Sequence, residues 1–234
     1  YAREMLPFAL FFGVICVIAS FIPLMERSIV SSFLGPDDLG LYAVGAKVAM
    51  LISLPIAAFQ TAWGPFSLAI HKELNAGATY GTVLKLFTML LSVLVLGLTM
   101  LSQPMIELLA SNRYVGAAIV VLPIALGLMI QGVCWITEIG IGIAKKAKIQ
   151  LYIYLLYLVC TGVAILVLAK VFGLAGVAWG TLIGYAVKSI ASSYMAQRVY
   201  PLPWPFLQTI VLVVAATVLG VIGGLLQGHL NIAS

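Results

Sequence analysis

Residues Tyr114–Ala144 read YVGAAIVVLPIALGLMIQGVCWITEIGIGIA, 31 positions with a single formal charge, Glu138. About 20 apolar residues suffice for a helix to cross ~30 Å of hydrocarbon. A run of this length and apolarity is a membrane-spanning helix, and it sets the reading of everything around it. Six more runs of the same kind flank it: Met5–Leu34, Gly40–Ile70, Tyr80–Leu109, Ile149–Val171, Gly176–Gln197 and Pro205–Leu226. The breaks between them carry turn formers and charges, notably Gly35-Pro36-Asp37-Asp38, Ser111-Asn112-Arg113, 145–148 and Phe172-Gly173. The expectation is an all-α, polytopic integral membrane bundle of about seven transmembrane helices. Short connections make consecutive helices antiparallel neighbours.

Composition agrees. Of the 234 residues 63% are hydrophobic and 8% charged, with a mean hydropathy of +1.18. Soluble domains carry about 25% charged residues, so no water-soluble core could hide this much apolar surface. The net charge of +5 is small and sits mostly in short loops, which excludes a nucleic-acid partner. Cys16, Cys134 and Cys160 lie far apart inside apolar runs, without metal spacing or a disulfide framework. No cofactor or metal motif is present, and no constellation of catalytic residues. His71 and His229 stand alone in a loop and a tail, so an integral-membrane glycosyl- or acyltransferase is the weaker reading and a transporter, not an enzyme, the stronger one.

Loop charge sets the orientation. One set of helix ends holds Arg3, Lys72, Lys85, Lys145, Lys146, Lys148, Lys188 and Arg198, eight basic residues against Arg113 and Lys170 at the other. The positive-inside rule puts the N-terminus in the cytoplasm and Asp37-Asp38 outside. Seven spans then leave the C-terminus outside, and the odd count suggests a piece of a longer bundle. Prolines 7, 23, 55, 65, 104 and 123 fall inside spans, where a missing donor bends the helix. Gly176, Gly180 and Gly184 recur every fourth residue, a stripe for close helix approach. Lys188 continues that stripe and reads as a lysine snorkelling to the cytoplasmic headgroups.

Ionisable groups within spans are costly and point to function. Glu26, Arg27, Lys47 and Glu138 are the candidates. Arg27 lies ten residues before Asp37 and Lys47 ten after it, so an antiparallel hairpin places both at similar depth, about 15 Å below its tip. Two cations at one level suit an anionic headgroup, arginine through its planar fork and lysine as a point charge. Two structural alternatives stay open: an ion pair of Glu26 with Arg27 or Lys47, and an Arg27 that reaches the outer interface. Glu138 either pairs with the lysine loop at 145–148 or carries a coupling proton.

The segment from Glu26 to Phe66, ERSIVSSFLGPDDLGLYAVGAKVAMLISLPIAAFQTAWGPF, resembles the polysaccharide biosynthesis (Wzx-type) flippases of the multidrug/oligosaccharidyl-lipid/polysaccharide exporter superfamily. The resemblance is carried by Glu26-Arg27, Phe33-Leu34-Gly35, Gly40-Leu41-Tyr42, Lys47 and Ala62-Trp63-Gly64-Pro65-Phe66, and beyond them by Tyr114, Gly142 to Lys146 and Phe172-Gly173. Glu26 departs from the usual Asp. The resemblance implies that residues 1–234 form a single bundle like the C-terminal lobe of such a flippase, whose partner is an N-terminal lobe absent here. It implies a bacterial cytoplasmic (inner) membrane location and an undecaprenyl-diphosphate-linked oligosaccharide as substrate, moved for cell-surface polysaccharide biosynthesis by rocking of two lobes. Membrane lipids are the other partner, and a drug/cation antiporter of the same superfamily is the nearest alternative.

Overall fold

A computed structural model describes the backbone of residues 2–144 and 146–232, and the side chains of residues 13–144, 146 and 148–224. Arg3, Pro7, Lys145 and His229 lie outside the described side chains. In chain order the helices are α1 (Ala2–Phe33), α2 (Pro36–Ala49), α3 (Ser53–Ile70), α4 (Ala76–Met100), α5 (Ser102–Leu109), α6 (Ala118–Thr137), α7 (Ile139–Ile143), α8 (Ala147–Val199) and α9 (Phe206–Ile232). Single 3-10 segments join α2 to α3 (Met50–Ile52) and lead into α6 (Asn112–Ala117). The protein is an all-α polytopic membrane bundle.

Among the described residues six helical stretches are long and apolar enough to cross a membrane, one fewer than expected. The difference lies in α8, which runs through 53 residues as one continuous element. At 1.5 Å per residue that is about 80 Å, far beyond the thickness of a bilayer. Gly173 resolves the conflict: its φ of 57° and ψ of −132° are not helical, and only glycine adopts them freely. There the chain folds back, so residues 147–172 and 174–199 form two antiparallel limbs and the crossings number seven. The glycine stripe is the seam between them. A Cβ on Gly176 would overlap the Leu168 carbonyl, one on Gly180 would lie 2.8 Å from the Ile165 backbone, and one on Gly184 would overlap Thr161 Oγ1. In each pair the residue numbers sum to 344 or 345, the register of a hairpin turning at 172–173. Lipid tails are as apolar as leucine, so tight contact of this kind, and not escape from water, holds membrane helices together.

The prolines act where helix geometry lets them. Pro55 and Pro104 fall in the first turns of α3 and α5, where a backbone donor is not needed, and the break lies just before each. The second span is thus interrupted at Met50–Ile52 and the third at Leu101. Pro65 and Pro123 stay inside α3 and α6, and α1 runs through Pro23 without a break. Gly35, at φ 99°, turns α1 into α2, and Pro36 opens α2 with Asp37 and Asp38 in its first turn, complementing the helix dipole.

The span of α6 is the axis of the bundle. Its apolar window is 72% buried, against 17–39% for the other spans, because α2, α4, α8 and α9 all pack against it. Val120, Val121, Ala125, Leu126, Met129 and Ile136 are fully enclosed. The connecting loops meet in two groups at the ends of the bundle. Arg113 reaches Asp37 at 3.5 Å, joining the two loops assigned to the outside. At the other end Gly77 and Gly81 pack on Pro203 and Pro205, bringing the 71–79 and 200–205 connections together.

Candidate functional site

Hairpin register decides what Glu26 meets. With the turn at Gly35, Glu26 lies nine residues before it and Tyr42 seven after, so the two share a level near the outer third of the span. Tyr42 Oη donates to Glu26 Oε2 at 2.9 Å, and Thr181 Oγ1, from the second limb of α8, donates to Oε1 at 3.0 Å. All three residues are buried. The carboxylate therefore ties α1, α2 and α8 together through neutral hydroxyls. The ion pairs described are Arg113–Asp37 and Lys188–Glu138, and the hydrogen bonds described for Glu26 come from Tyr42 and Thr181 and from neither Arg27 nor Lys47.

The same register corrects the depth of the two cations. Counted from Gly35, Arg27 lies eight residues down α1 and Lys47 twelve down α2, roughly 12 Å and 18 Å below the turn. Lys47 is about one helical turn deeper than Arg27. Both are exposed on the outer faces of their helices, while their neighbours Glu26, Ala46 and Val48 are buried. Ser28 and Ser31 on α1 and Thr61 on α3 are exposed as well. Phe21, Leu24, Phe33 and Leu54 are exposed on these helices too, and the outward surfaces of α8 and α9 present Val159, Val163, Val167, Ile210, Val214 and Val218. A cation standing out of the bundle at this depth is costly unless it reaches the interface or faces water or a polar surface.

The second carboxylate lies deeper. Glu138 forms the junction between α6 and α7 and is buried. Its described cationic partner is Lys188, with Nζ 4.0 Å from Oε1, while Lys145 of the expected lysine loop lies outside the described residues. Lys188 is only 1% exposed. It does not snorkel, because its Cα lies eleven residues from the end of α8, too far for its stem to reach the headgroups. Its ammonium donates to Gln131 Oε1 at 2.8 Å and to Tyr154 Oη at 3.1 Å, and it lies over the Tyr154 ring, 4.4 Å from the centroid. Cys134 Sγ donates to Glu138 Oε1 at 3.1 Å. Between this group and Glu26 stand Tyr154, Tyr157 and Tyr185, with ring centroids 6.3 Å and 5.4 Å apart in turn.

The Ala62–Phe66 motif has a packing role. Trp63 is buried between Phe59 and Tyr80, at 5.6 Å and 5.4 Å, and the stack continues to Phe87 and Trp204. Tyr80 closes it by donating to the carbonyl of Ser67, two residues past Pro65. These contacts fasten α3 to α4 and to the 200–205 connection.

A family model described as polysaccharide biosynthesis protein matches residues 29–219, most of the chain and every span from α2 onward. The chain belongs to the polysaccharide biosynthesis protein family. No curated protein and no solved structure gives a significant match. Family membership connects a multi-pass membrane bundle with the making of polysaccharide.

Sequence reasoning singled out Arg27, Lys47, Glu26 and Glu138; the fold brings Glu138 to Lys188 and Glu26 to Tyr42 and Thr181. Tyr42 was within reach of the sequence, since counting from Gly35 instead of Asp37 sets it opposite Glu26. Thr181 and Gln131 carry no such signal, because only the tertiary packing of α8 against α1 and α6 brings them in.

Proposed function

We propose that this chain is part of a transporter that flips lipid-linked oligosaccharide, with an undecaprenyl-diphosphate-type carrier, across the bacterial cytoplasmic membrane for cell-surface polysaccharide biosynthesis. The observation that carries the reading is the outward stance of Arg27 and Lys47 on α1 and α2 at membrane depth. An anionic phosphate or diphosphate headgroup is the ligand such cations suit, because guanidinium and ammonium offer charge-assisted donors. In this reading the α1–α2 side borders a water-filled cavity shared with an N-terminal lobe, and the chain corresponds to the C-terminal lobe. Rocking of the two lobes about the cavity exposes the headgroup first to the cytoplasm and then to the outside. The protein acts as a carrier and makes no bond in its substrate. Family membership supports the link to polysaccharide, and the sugar-bearing anion separates this reading from the drug/cation antiporter, which two outward cations would repel.

The decisive experiment reconstitutes the full-length protein in vesicles with a defined undecaprenyl-diphosphate oligosaccharide. Protein-dependent translocation, reduced at least tenfold by Arg27→Ala, supports the reading. Vesicles that move a cationic drug and leave the oligosaccharide in place reverse it.

A further inference from the structure

The glycine stripe that holds the two limbs of α8 together ends at Gly184. Beyond it neither limb carries glycine: residues 185–199 and 147–157 have none. Larger side chains keep helices apart where glycine would let them touch. The limbs part accordingly at the end of the bundle that carries the basic connections, leaving a cleft of about 240 Å³. Tyr152, Ile153 and Leu156 line it from the first limb, and Ala191, Tyr194 and Met195 from the second. Ile153 is buried, while Tyr152, Leu156, Tyr194 and Met195 stand exposed along the cleft. Its first-limb wall reaches nine residues past Ala147, about 14 Å along the helix axis.

The mouth of the cleft is cationic. On each limb a basic residue stands four positions from a lining tyrosine, on the side of the helix end: Lys148 from Tyr152, and Arg198 from Tyr194. That spacing puts both members on one helix face. Lys148 and Arg198 are exposed, and the Arg198 guanidinium lies over the Tyr194 ring, 4.7 Å from its centroid. The hairpin register, in which facing residue numbers sum to 344 or 345, sets Lys148 opposite 196–197 and Arg198 opposite 146–147. The two cations therefore share a level, and Lys146 is exposed beside them. No acidic residue follows Glu138 in the sequence, and among the described residues no carboxylate pairs with Arg198. Tyrosines at the end of a span mark the level of the headgroups.

We propose that this cleft binds one anionic phospholipid of the cytoplasmic leaflet, with an acyl chain between the limbs of α8 and its phosphate at Lys148 and Arg198. The site divides as such a lipid does. Apolar walls take the hydrocarbon, the two tyrosines stand where ester and phosphate groups begin, and the cations lie beyond them. Basic residues at this level draw a headgroup of net negative charge, whereas the ammonium of a zwitterionic headgroup is repelled by the same cations. The bound lipid bridges the limbs where no glycine seam joins them. Arg27 and Lys47 lie toward the Gly35 turn, at the other end of the bundle, so this site does not depend on the transporter reading.

Native mass spectrometry of the full-length protein in detergent counts bound lipids one at a time. The protein is titrated with phosphatidylglycerol or with phosphatidylethanolamine of the same chains. The first phosphatidylglycerol is expected to bind about tenfold more tightly than the first phosphatidylethanolamine. A basic residue near the membrane surface contributes about fivefold in affinity, so Arg198→Gln should weaken phosphatidylglycerol by that factor and phosphatidylethanolamine less. Ala191→Phe fills the cleft and should weaken both lipids with the cations in place. Arg113→Gln, at an exposed arginine of the other end, should change neither. Arg198→Gln and Tyr194→Ala alter exposed positions and keep the test open if Ala191→Phe does not accumulate. Equal affinity for the two lipids overturns the proposal, and so does unchanged phosphatidylglycerol binding in Arg198→Gln and Tyr194→Ala. Displacement of the lipid by inorganic phosphate marks a site for the free anion, and tighter binding of undecaprenyl diphosphate marks a site for the carrier; either result overturns it equally.

Discussion

Tyr42 Oη lies 2.9 Å from Glu26 Oε2 across the first hairpin and links α1 to α2 at the register that the turn at Gly35 sets. The carboxylate is satisfied by hydroxyls, so its loss should be felt through Tyr42 and Thr181. A buried hydrogen bond to a charged group contributes about 1.5–3 kcal/mol. Tyr42→Phe and Thr181→Val are each expected to lower thermal stability in detergent by that order. In a double-mutant cycle with Glu26→Gln, both should couple by more than about 0.5 kcal/mol. Arg27→Ala and Lys47→Ala should add to Glu26→Gln without coupling. The opposite pattern would restore the cation pair that the sequence suggested.

Removing the outward cations tests function apart from folding. Arg27 and Lys47 pack against little, so Arg27→Ala and Lys47→Ala should insert and accumulate normally. On the proposed function each removes a charge-assisted contact to phosphate, and a tenfold or greater loss of glycan export is expected at about 1.4 kcal/mol per decade. Export assays on membranes of matched protein abundance decide it. Normal export by both variants would show that the face does not meet the substrate.

The seam of α8 makes a sharper prediction. A Cβ at position 184 would overlap Thr161 Oγ1, and that hydroxyl has no hydrogen-bond partner among the described residues. Gly184→Ala should therefore cost roughly 1–3 kcal/mol by overpacking. Thr161→Ala alone should be mild, and combining it with Gly184→Ala should recover most of the loss. Melting temperatures of the four proteins give the answer, and a double variant no better than Gly184→Ala would refute the hairpin register.

Sidedness is open to chemical labelling. Single cysteines at Asp37 and Arg113, in a background without Cys16, Cys134 and Cys160, should react with an impermeant thiol reagent from outside intact cells. Cysteines at Lys72 and Lys146 should react only after permeabilisation. The Asp37–Arg113 bridge is strongly exposed, and exposed pairs contribute well under 1 kcal/mol, so its removal should leave stability unchanged. Reaction of all four positions from one side would overturn the assigned topology.

What the sequence determined by itself is what depends on local chemistry. Length and apolarity of each run define a spanning helix, Gly35-Pro36 and Phe172-Gly173 define turns, and the four-residue spacing of Gly176, Gly180 and Gly184 defines a surface for close approach, because each follows from backbone geometry and the thickness of a bilayer. The hairpin at Gly173 is legible for that reason even though the chain there runs as one long helical element. Partnership is another matter. Gln131 and Tyr154 stand 57 and 34 residues before Lys188 in the chain and meet it only because α8 folds onto itself and onto α6. A lysine at that place in a sequence looks like one that reaches the headgroups, and burial at 1% is a property of the packed bundle. Glu26 tells the same story at closer range: its neighbour in sequence is a cation, yet successive residues on a helix point about 100° apart, so Arg27 faces out while Glu26 faces in, and the fold gives the carboxylate two hydroxyls from elsewhere.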